Sequence, residues 1–373
     1  MYTTNASYQG LKLTIRELRL RSVVVPIARA LVTRVVTIDR APLLLLDLAT
    51  EEGVTGSTYL FGYHQRGNAY LATLLQDIAT VTKGDPVAPV ELYAKASKAL
   101  TLMGHQGLTT MAVAGFDMAC WDALAKAAGV PLVQLLGGRV QPVKAYNSNG
   151  LGLIAPAAAA REAQELIAEG NFDAVKVRLG RPTLDEDLAA LRAVRKAVGE
   201  RVLLPCDFNQ GLTVMEAVRR GRALDEENVY WIEEPIIYDD LVGNAKIARE
   251  VTTPIQLGEN FYGPQVAADA IAAEACDYMM FDLMRIGGVS GWLRAAALAQ
   301  AAGIEVSSHI LPEVSCHVLA VTPTRHWLEY VNWAAPILAQ PLALQDGHVL
   351  IPDAPGTGIA WNEEAVARYT VAL

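Results

Sequence analysis

At 373 residues the chain is long enough for two domains, or for one α/β barrel with an accessory domain, and 52% hydrophobic against 19% charged residues excludes an extended disordered protein. The formal net charge of -9, from 31 Lys and Arg against 40 Asp and Glu, gives no electrostatic footprint for nucleic acid or an anionic membrane surface. A small anionic ligand would therefore need a locally positive pocket.

The opening "MYTTNASYQGLKLTIREL" has no apolar stretch of signal-peptide length, and no run of about 18 apolar residues occurs anywhere, which predicts a cytoplasmic protein. Two alternating or apolar runs follow, "LKLTIRELRLRSVVVP" and "PLLLLDLATEEGVTGSTYL". They read as antiparallel strands separated by a flexible stretch, "IARALVTRVVTIDRA". From about residue 68 to 136 the periodicity is helical, with "AYLATLLQDIATVT", "ELYAKASKAL" and "MAVAGFDMACWDALAKAAG" placing apolar residues at i, i+3 and i+4. Strands followed by helices predict an α+β domain over residues 1–136.

After "LLGGRVQPVKAY" short apolar strands alternate with Ala-rich helices. Strands are predicted near "VKAYNSN", "AVKVRLG", "VLLPCDFN", "YWIEEP", "IQLGEN", "YMMFDL" and "IEVSSHI". Repeated βα units of this size predict a parallel barrel over residues 137–332. The remaining segment, 333–373, reads as loop and turn that returns to the first domain. Cys120, Cys206, Cys276 and Cys316 are scattered without metal or CxxC spacing and read as core residues in a reducing compartment.

Polar residues recur once per βα unit. Asp207 ends "VLLPCD", Glu233 ends "YWIEE", Glu259 ends "IQLGE", Asp282 ends "YMMFD" and His309 ends "IEVSSH", at intervals of 26, 26, 23 and 27 residues. In a barrel all such ends converge on one mouth, where the active site of that fold lies. Each carboxylate alone is accounted for by pairing with a basic neighbour or capping the next helix. Three in register are not, because three converging carboxylates need a cation between them. Oxygen-only ligands select Mg²⁺, with Mn²⁺ also suited, over zinc. Asp282 and His309 sit on neighbouring strands, so the aspartate orients the imidazole and His309 becomes a candidate base. His64, His105, His317, His326 and His348 lack such support and read as structural. Lys176 and Arg178 alternate on one face of "AVKVRLG"; buried cations there either balance the carboxylates or bind an anionic substrate.

These motifs resemble the enolase superfamily, in its mandelate racemase and muconate lactonizing enzyme family, over nearly the whole chain and nearest in pattern to mandelate racemase. "AVKVRLG" matches the family's Lys-x-Lys strand, "DFNQ", "WIEEP" and "GEN" its three metal-ligand motifs, "FDLMRIGGVSGW" with "SSH" its Asp-His dyad, and "HWLEY" its substrate-facing glutamate. The resemblance implies an α/β enolase-like fold, a modified (β/α)7β barrel with an N-terminal α+β capping domain. It implies Mg²⁺ on Asp207, Glu233 and Glu259, with Glu234 a neighbour. It further implies that Lys176 and Glu329 contact a substrate carboxylate, that Ser148 and Asn209 contact substrate, and that His309 moves the α-proton. Leu31, Val35, Ile38 and Tyr59 fall at pocket-lining positions, favouring an apolar substituent over a polyol. Arg29, Arg34 and Arg40 lie on the outer face of that loop or grip a second anionic group. Homo-oligomers are common among the resembled enzymes, so the same is expected here.

Arg178 departs from the pattern. The family's second lysine supplies a base on the other face of the α-carbon, and a guanidinium rarely gives up its proton. The resemblance thus leaves two activities open: racemisation or epimerisation of a 2-hydroxy carboxylate, or dehydration of a hydroxy acid or acid sugar with His309 as sole base and acid. A non-catalytic binding protein on the same barrel is a weaker alternative, since every metal carboxylate and the Asp-His pair are kept.

Overall fold

The computed structural model describes residues 12–373; Leu11, the first residue of the first predicted strand, and the segment before it lie outside the described residues. β1 (Ile15–Val32), β2 (Thr37–Thr50) and β3 (Thr55–Phe61) form an antiparallel meander. The strand Thr370–Val371 pairs with Ser22 and Val23 of β1, so the end of the chain closes back on its beginning.

The stretch expected to be flexible is a continuous hairpin. β1 and β2 run through it, pairing Leu31 with Ile38 and Val32 with Thr37, and only residues 33–36 turn. Val36 O accepts from both the N–H and the hydroxyl of Thr33, each at 2.9 Å, which pins the tip. β-branched residues favour the extended chain on both sides of Pro26, and the register shifts between Pro26 and Leu31, where proline offers no N–H to the ladder.

The helices Gln65–Thr82 and Leu108–Ala128 pack against the meander, and a third, Pro89–Ala99, which lies between them in the chain, packs on those two helices. Leu108–Ala128 is buried along most of its length because it lies between the sheet and the barrel. Gly56 of β3 permits the close approach: a Cβ there would stand 2.0 Å from Ala119 O. On the barrel side Asp117 accepts from the N–H of Ser290 at 2.9 Å and from its hydroxyl at 2.5 Å.

The barrel strands are β4 (Pro142–Asn147), β5 (Val177–Arg178), β6 (Cys206–Asp207), β7 (Ile232–Glu233), β8 (Ile255–Leu257), β9 (Tyr278–Asp282), β10 (Glu305–His309) and β11 (Leu328–Tyr330). β5 to β10 are parallel neighbours in sequence order and β11 pairs in parallel with β4. Parallel bridges between Asn147 and Val175, and between Val306 and Arg325, close the circle. A helix follows each of the first seven strands, but after β11 the chain turns into a hairpin over residues 344–350 that pairs Val349 with Val143 of β4. This is a (β/α)7β barrel with an α+β cap. Helix entry is locally encoded: in "PTLDED" the Thr183 hydroxyl accepts from Glu186 N–H while the Glu186 carboxylate accepts from Thr183 N–H, a reciprocal capping box. All four cysteines are free. No helix among the described residues is long and apolar enough to cross a membrane.

Candidate active site

Strand register sets the site. Arg178 is paired with Asp207, Asp207 with Glu233, and Asp282 with His309, so the C-terminal strand residues stand at one level around the mouth. Gly258 turns the chain after β8 so that Glu259 joins them. Its φ is +126, and a Cβ there would meet Met280 O at 2.6 Å, so only glycine serves.

Asp207, Glu233 and Glu259 each present a carboxylate oxygen within 4.8 Å of the others, and all three are buried. Burial comes first in pushing Asp207 and Glu233 above the carboxylate range, Glu233 to about 8; at Glu233 it outweighs the pull of Lys176, and Asp207 and Glu259 add repulsion. A buried set of hard oxygen donors that repel one another fits a small divalent cation such as Mg²⁺ or Mn²⁺. Their orientation is fixed from outside. Glu233 Oε2 accepts from the Trp231 indole at 3.1 Å and the Gln256 amide at 3.3 Å, and Asp207 accepts from Asn209 N–H at 2.7 Å and from its side-chain amide at 2.8 Å.

Lys176 Nζ lies 2.6 Å from Glu233, 2.7 Å from Glu329 and 3.6 Å from Asp207. Burial disfavours its charge, but Glu233 and Glu329 more than offset this and hold it an ammonium. Burial likewise opposes ionisation of Glu329, but Lys176 and His309 dominate and keep it an anion. Its Oε2 also accepts from Ile310 N–H at 2.8 Å.

His309 Nδ1 is 2.7 Å from Asp282 Oδ2, while Asp282 Oδ1 accepts the N–H groups of Met284 at 2.7 Å and Arg285 at 3.1 Å. The carboxylate can only accept, so Nδ1 carries the hydrogen and Nε2 is left to exchange protons. Nε2 faces Glu259 at 3.3 Å and Glu329 at 3.9 Å. Burial favours the neutral ring, but Glu259, Glu329 and the Asp282 hydrogen bond outweigh it and raise the imidazole to about 9.

Arg178 is 4% exposed and held by the turn after β4. Nη1 donates to Gly150 O at 2.6 Å and more weakly to Ser148 O at 3.4 Å, and Nη2 donates to Ser148 Oγ at 3.0 Å. Ser148 therefore serves Arg178, and Asn209 serves Asp207. Arg29 is taken by Glu165 and Glu169, and Arg34 donates to Gly180 O, so these two bind the barrel rather than a ligand.

The pocket over these groups has an empty volume of about 480 Å³, counting the space at its mouth that is open to solvent. Leu31 and Ile38, directly opposed across the hairpin, line it. Val35 does not: it is 61% exposed, because the turn at 33–36 breaks the alternation that would have placed it on the same face as Leu31. Tyr59 does not line it either. Its hydroxyl is spent on Glu313 Oε2 at 2.5 Å, and Phe61 and Tyr63, on the same side of the chain but nearer its exit from β3, form the wall. Ile310, Val331 and Trp333 complete the apolar surface and Arg285 adds a cation. Sequence reasoning missed these six. The parity of Tyr59, Phe61 and Tyr63 was the available signal for two of them; Trp333 and Arg285 lie beyond strand ends, where periodicity gives no direction.

A barrel with three converging carboxylates on consecutive strands and an Asp-oriented histidine on the next pair can hold a divalent cation beside a group that exchanges protons. The family model described as "Mandelate racemase / muconate lactonizing enzyme, N-terminal domain" matches residues 15–137, and that described as "Enolase C-terminal domain-like" matches residues 158–365. The chain belongs to the mandelate racemase/muconate lactonizing enzyme family of the enolase superfamily and is an enzyme of that superfamily. It is similar to an enolase from alpha proteobacterium bal199 solved with bound Mg, at 48% identity and TM-score 0.95, covering 96% of this chain and 100% of that one. It is also similar to a Bradyrhizobium enolase solved with magnesium and mandelic acid, at 43% identity and TM-score 0.93, covering 97% and 99%. The L-talarate/galactarate dehydratase of Salmonella typhimurium is 30% identical over 343 residues, 92% of this chain and 86% of its own length. Relatives thus include dehydratases at 27–30% identity, a cycloisomerase at 32% and epimerases at 28%.

Proposed function

We propose that the enzyme abstracts the α-proton of a 2-hydroxy carboxylate bearing an apolar substituent, with Mg²⁺ on Asp207, Glu233 and Glu259, in a racemase or epimerase like mandelate racemase. The observation that carries this reading is the Asp282–His309 pair, whose free Nε2 faces the same space as Lys176 and Glu329. The substrate carboxylate lies at Lys176 and Glu329. A cation on Glu259 would relieve the pull that raises His309 and leave Nε2 unprotonated; Nε2 then takes the α-proton, and the C–H electron pair moves into the carboxylate to give an enediolate. Lys176 donates to the developing negative charge, and a buried donor of this kind contributes roughly 3 kcal/mol to the transition state; Glu329, an anion in the ligand-free site, would donate beside it only after taking up a proton as the substrate carboxylate binds. Mg²⁺, when bound, supplies further charge stabilisation to that carboxylate. Leu31, Ile38, Phe61 and Trp333 exclude water and receive the apolar substituent. Inversion requires a proton delivered from the opposite face, where position 178 stands.

The clamp on Arg178 favours a second reading. A guanidinium rarely gives up its proton, and this one is anchored through both Nη groups to two carbonyls and a hydroxyl while its buried Nε has no partner, so His309 would work alone, returning the proton to a β-hydroxyl that leaves as water and gives a 2-keto acid after tautomerisation. Proton NMR in deuterated water separates the two, using single enantiomers of aryl and aliphatic 2-hydroxy acids and a few sugar acids with Mg²⁺. Loss of the α-proton with inversion supports the racemase. Exchange from one enantiomer without inversion, or appearance of a 2-keto acid, supports one-base chemistry. No exchange and no product from any acid refutes both.

A further inference from the structure

Arg285 has no role in the chemistry above, yet it lines the same pocket as Lys176 and His309 and is 7% exposed. It follows β9, four strands round the eight-strand barrel from β5, so it faces Lys176 and Arg178 from the opposite wall. Its hydrogen-bond partners are a carbonyl and a phenol, with no carboxylate among them: Nη1 donates to Glu259 O at 2.8 Å and Nη2 to the Tyr63 hydroxyl. Nε is buried and has no partner. Tyr63 also lies with its ring 5.0 Å from the guanidinium carbon. It holds a φ of +60, an uncommon conformation for an aromatic residue, which the pairing with Arg285 helps to maintain. The same ring sits 4.5 Å from Phe61, which is in turn 5.2 Å from Trp333. Arg285 thus stands beside Glu259, and with Tyr63 it adds one guanidinium and one phenol to an otherwise apolar wall across the pocket from Lys176.

Burying a cation whose donors are only partly used is costly unless a ligand completes them. We infer that Arg285 and Tyr63 form a distal subsite that selects substrates carrying an oxygen acceptor, a hydroxyl or a carboxylate, at the end of the apolar substituent remote from the α-carboxylate. The inference rests on the reading above that the α-carboxylate lies at Lys176. It assigns Arg285 and Tyr63 to specificity and leaves proton transfer to His309.

The test is calorimetric binding, with Mg²⁺, of three matched 2-hydroxy acids bearing phenyl, 4-hydroxyphenyl or 4-carboxyphenyl groups, to the wild type, Tyr63→Phe and Arg285→Met. The wild type is expected to bind at least one acceptor-bearing acid about tenfold more tightly than the phenyl acid, as a charge-assisted hydrogen bond supplies. Which acid gains reports whether the favoured acceptor is neutral or anionic. In both variants the ratio should fall toward one. A ratio near one in the wild type, or the same ratio in wild type and Tyr63→Phe, overturns the inference, and equal weakening of all three acids in Arg285→Met with Tyr63→Phe unaffected would reduce Arg285 to a support for Glu259. Deuterium exchange of the phenyl acid by the wild type, measured in parallel, tests the proposed function by itself, so failure of that reading is seen separately.

Discussion

Position 178 concentrates the chemical question at the scale of one residue. An ammonium has three donors on a flexible stem and cannot reproduce the fork that holds Ser148 and Gly150, so Arg178→Lys releases a titratable amine into the pocket. We expect Arg178→Lys to raise α-proton exchange of the slower enantiomer by about tenfold or more, within the range general acid–base groups supply. An unchanged ratio of exchange rates between enantiomers would mean that the base at this position does not limit inversion. Trp231 offers a second test. Its indole donates to Glu233 Oε2, and Trp231→Phe keeps the packing while deleting that bond. Mg²⁺ affinity measured by titration should fall by about tenfold, as for other groups that orient a metal ligand. The carboxylates and His309 were legible in the sequence because each falls once per βα unit. The clamp on Arg178 was not, because it comes from the turn after β4, a neighbour in the barrel but some thirty residues away in the chain.

At the scale of elements, the two-residue rhythm of strands and the recurrence of βα units were enough to predict the barrel and the antiparallel cap. The hairpin tip was not predicted. "IARALVTRVVTIDRA" carries charges among its β-branched residues, which reads as loop until the pairing partner is known, and Leu31 opposite Ile38 is a contact between strands. Val35 was misplaced for the same reason, since alternation holds only until the chain turns. Gly258 is where local geometry and function meet. Gly258→Ala would force a side chain into the left-handed region and against Met280 O, moving Glu259 off the metal cluster. The expected outcome is weakened Mg²⁺ binding together with a lowered melting temperature; intact Mg²⁺ affinity in a folded variant would show that Glu259 does not depend on this turn.

Across the whole molecule, His317 ties three segments together. Its Nδ1 accepts from Val133 N–H at 3.1 Å, ahead of the first barrel strand, and its Nε2 lies 3.2 Å from Thr357 O in the returning C-terminal segment. The bond from Val133 needs the neutral ring, since Nδ1 must accept, and burial lowers the His317 pKa from the usual 6.5 to about 4. Because the folded value is the lower one, the unfolded chain binds the extra proton first. The stabilisation is complete above about pH 6.5 and is lost as pH falls toward 4, by about 3 kcal/mol in all. His317→Gln offers an acceptor and a donor without titrating, so the stability difference between wild type and variant should shrink by that order between pH 7 and pH 4 in urea unfolding. A difference independent of pH would contradict this. The sequence marked His317 only as structural, since its partners are backbone groups from distant segments.

The central claim is that His309 removes an α-proton, and deuterium exchange in wild type and His309→Asn tests it most directly. With Mg²⁺ and single-enantiomer aryl 2-hydroxy acids, the wild type should lose the α-proton signal of one enantiomer at least, and His309→Asn should slow that loss by about 10³-fold with the carboxylate cluster intact. Exchange that proceeds undiminished in His309→Asn, or that is absent from both enantiomers in the wild type, would contradict the account.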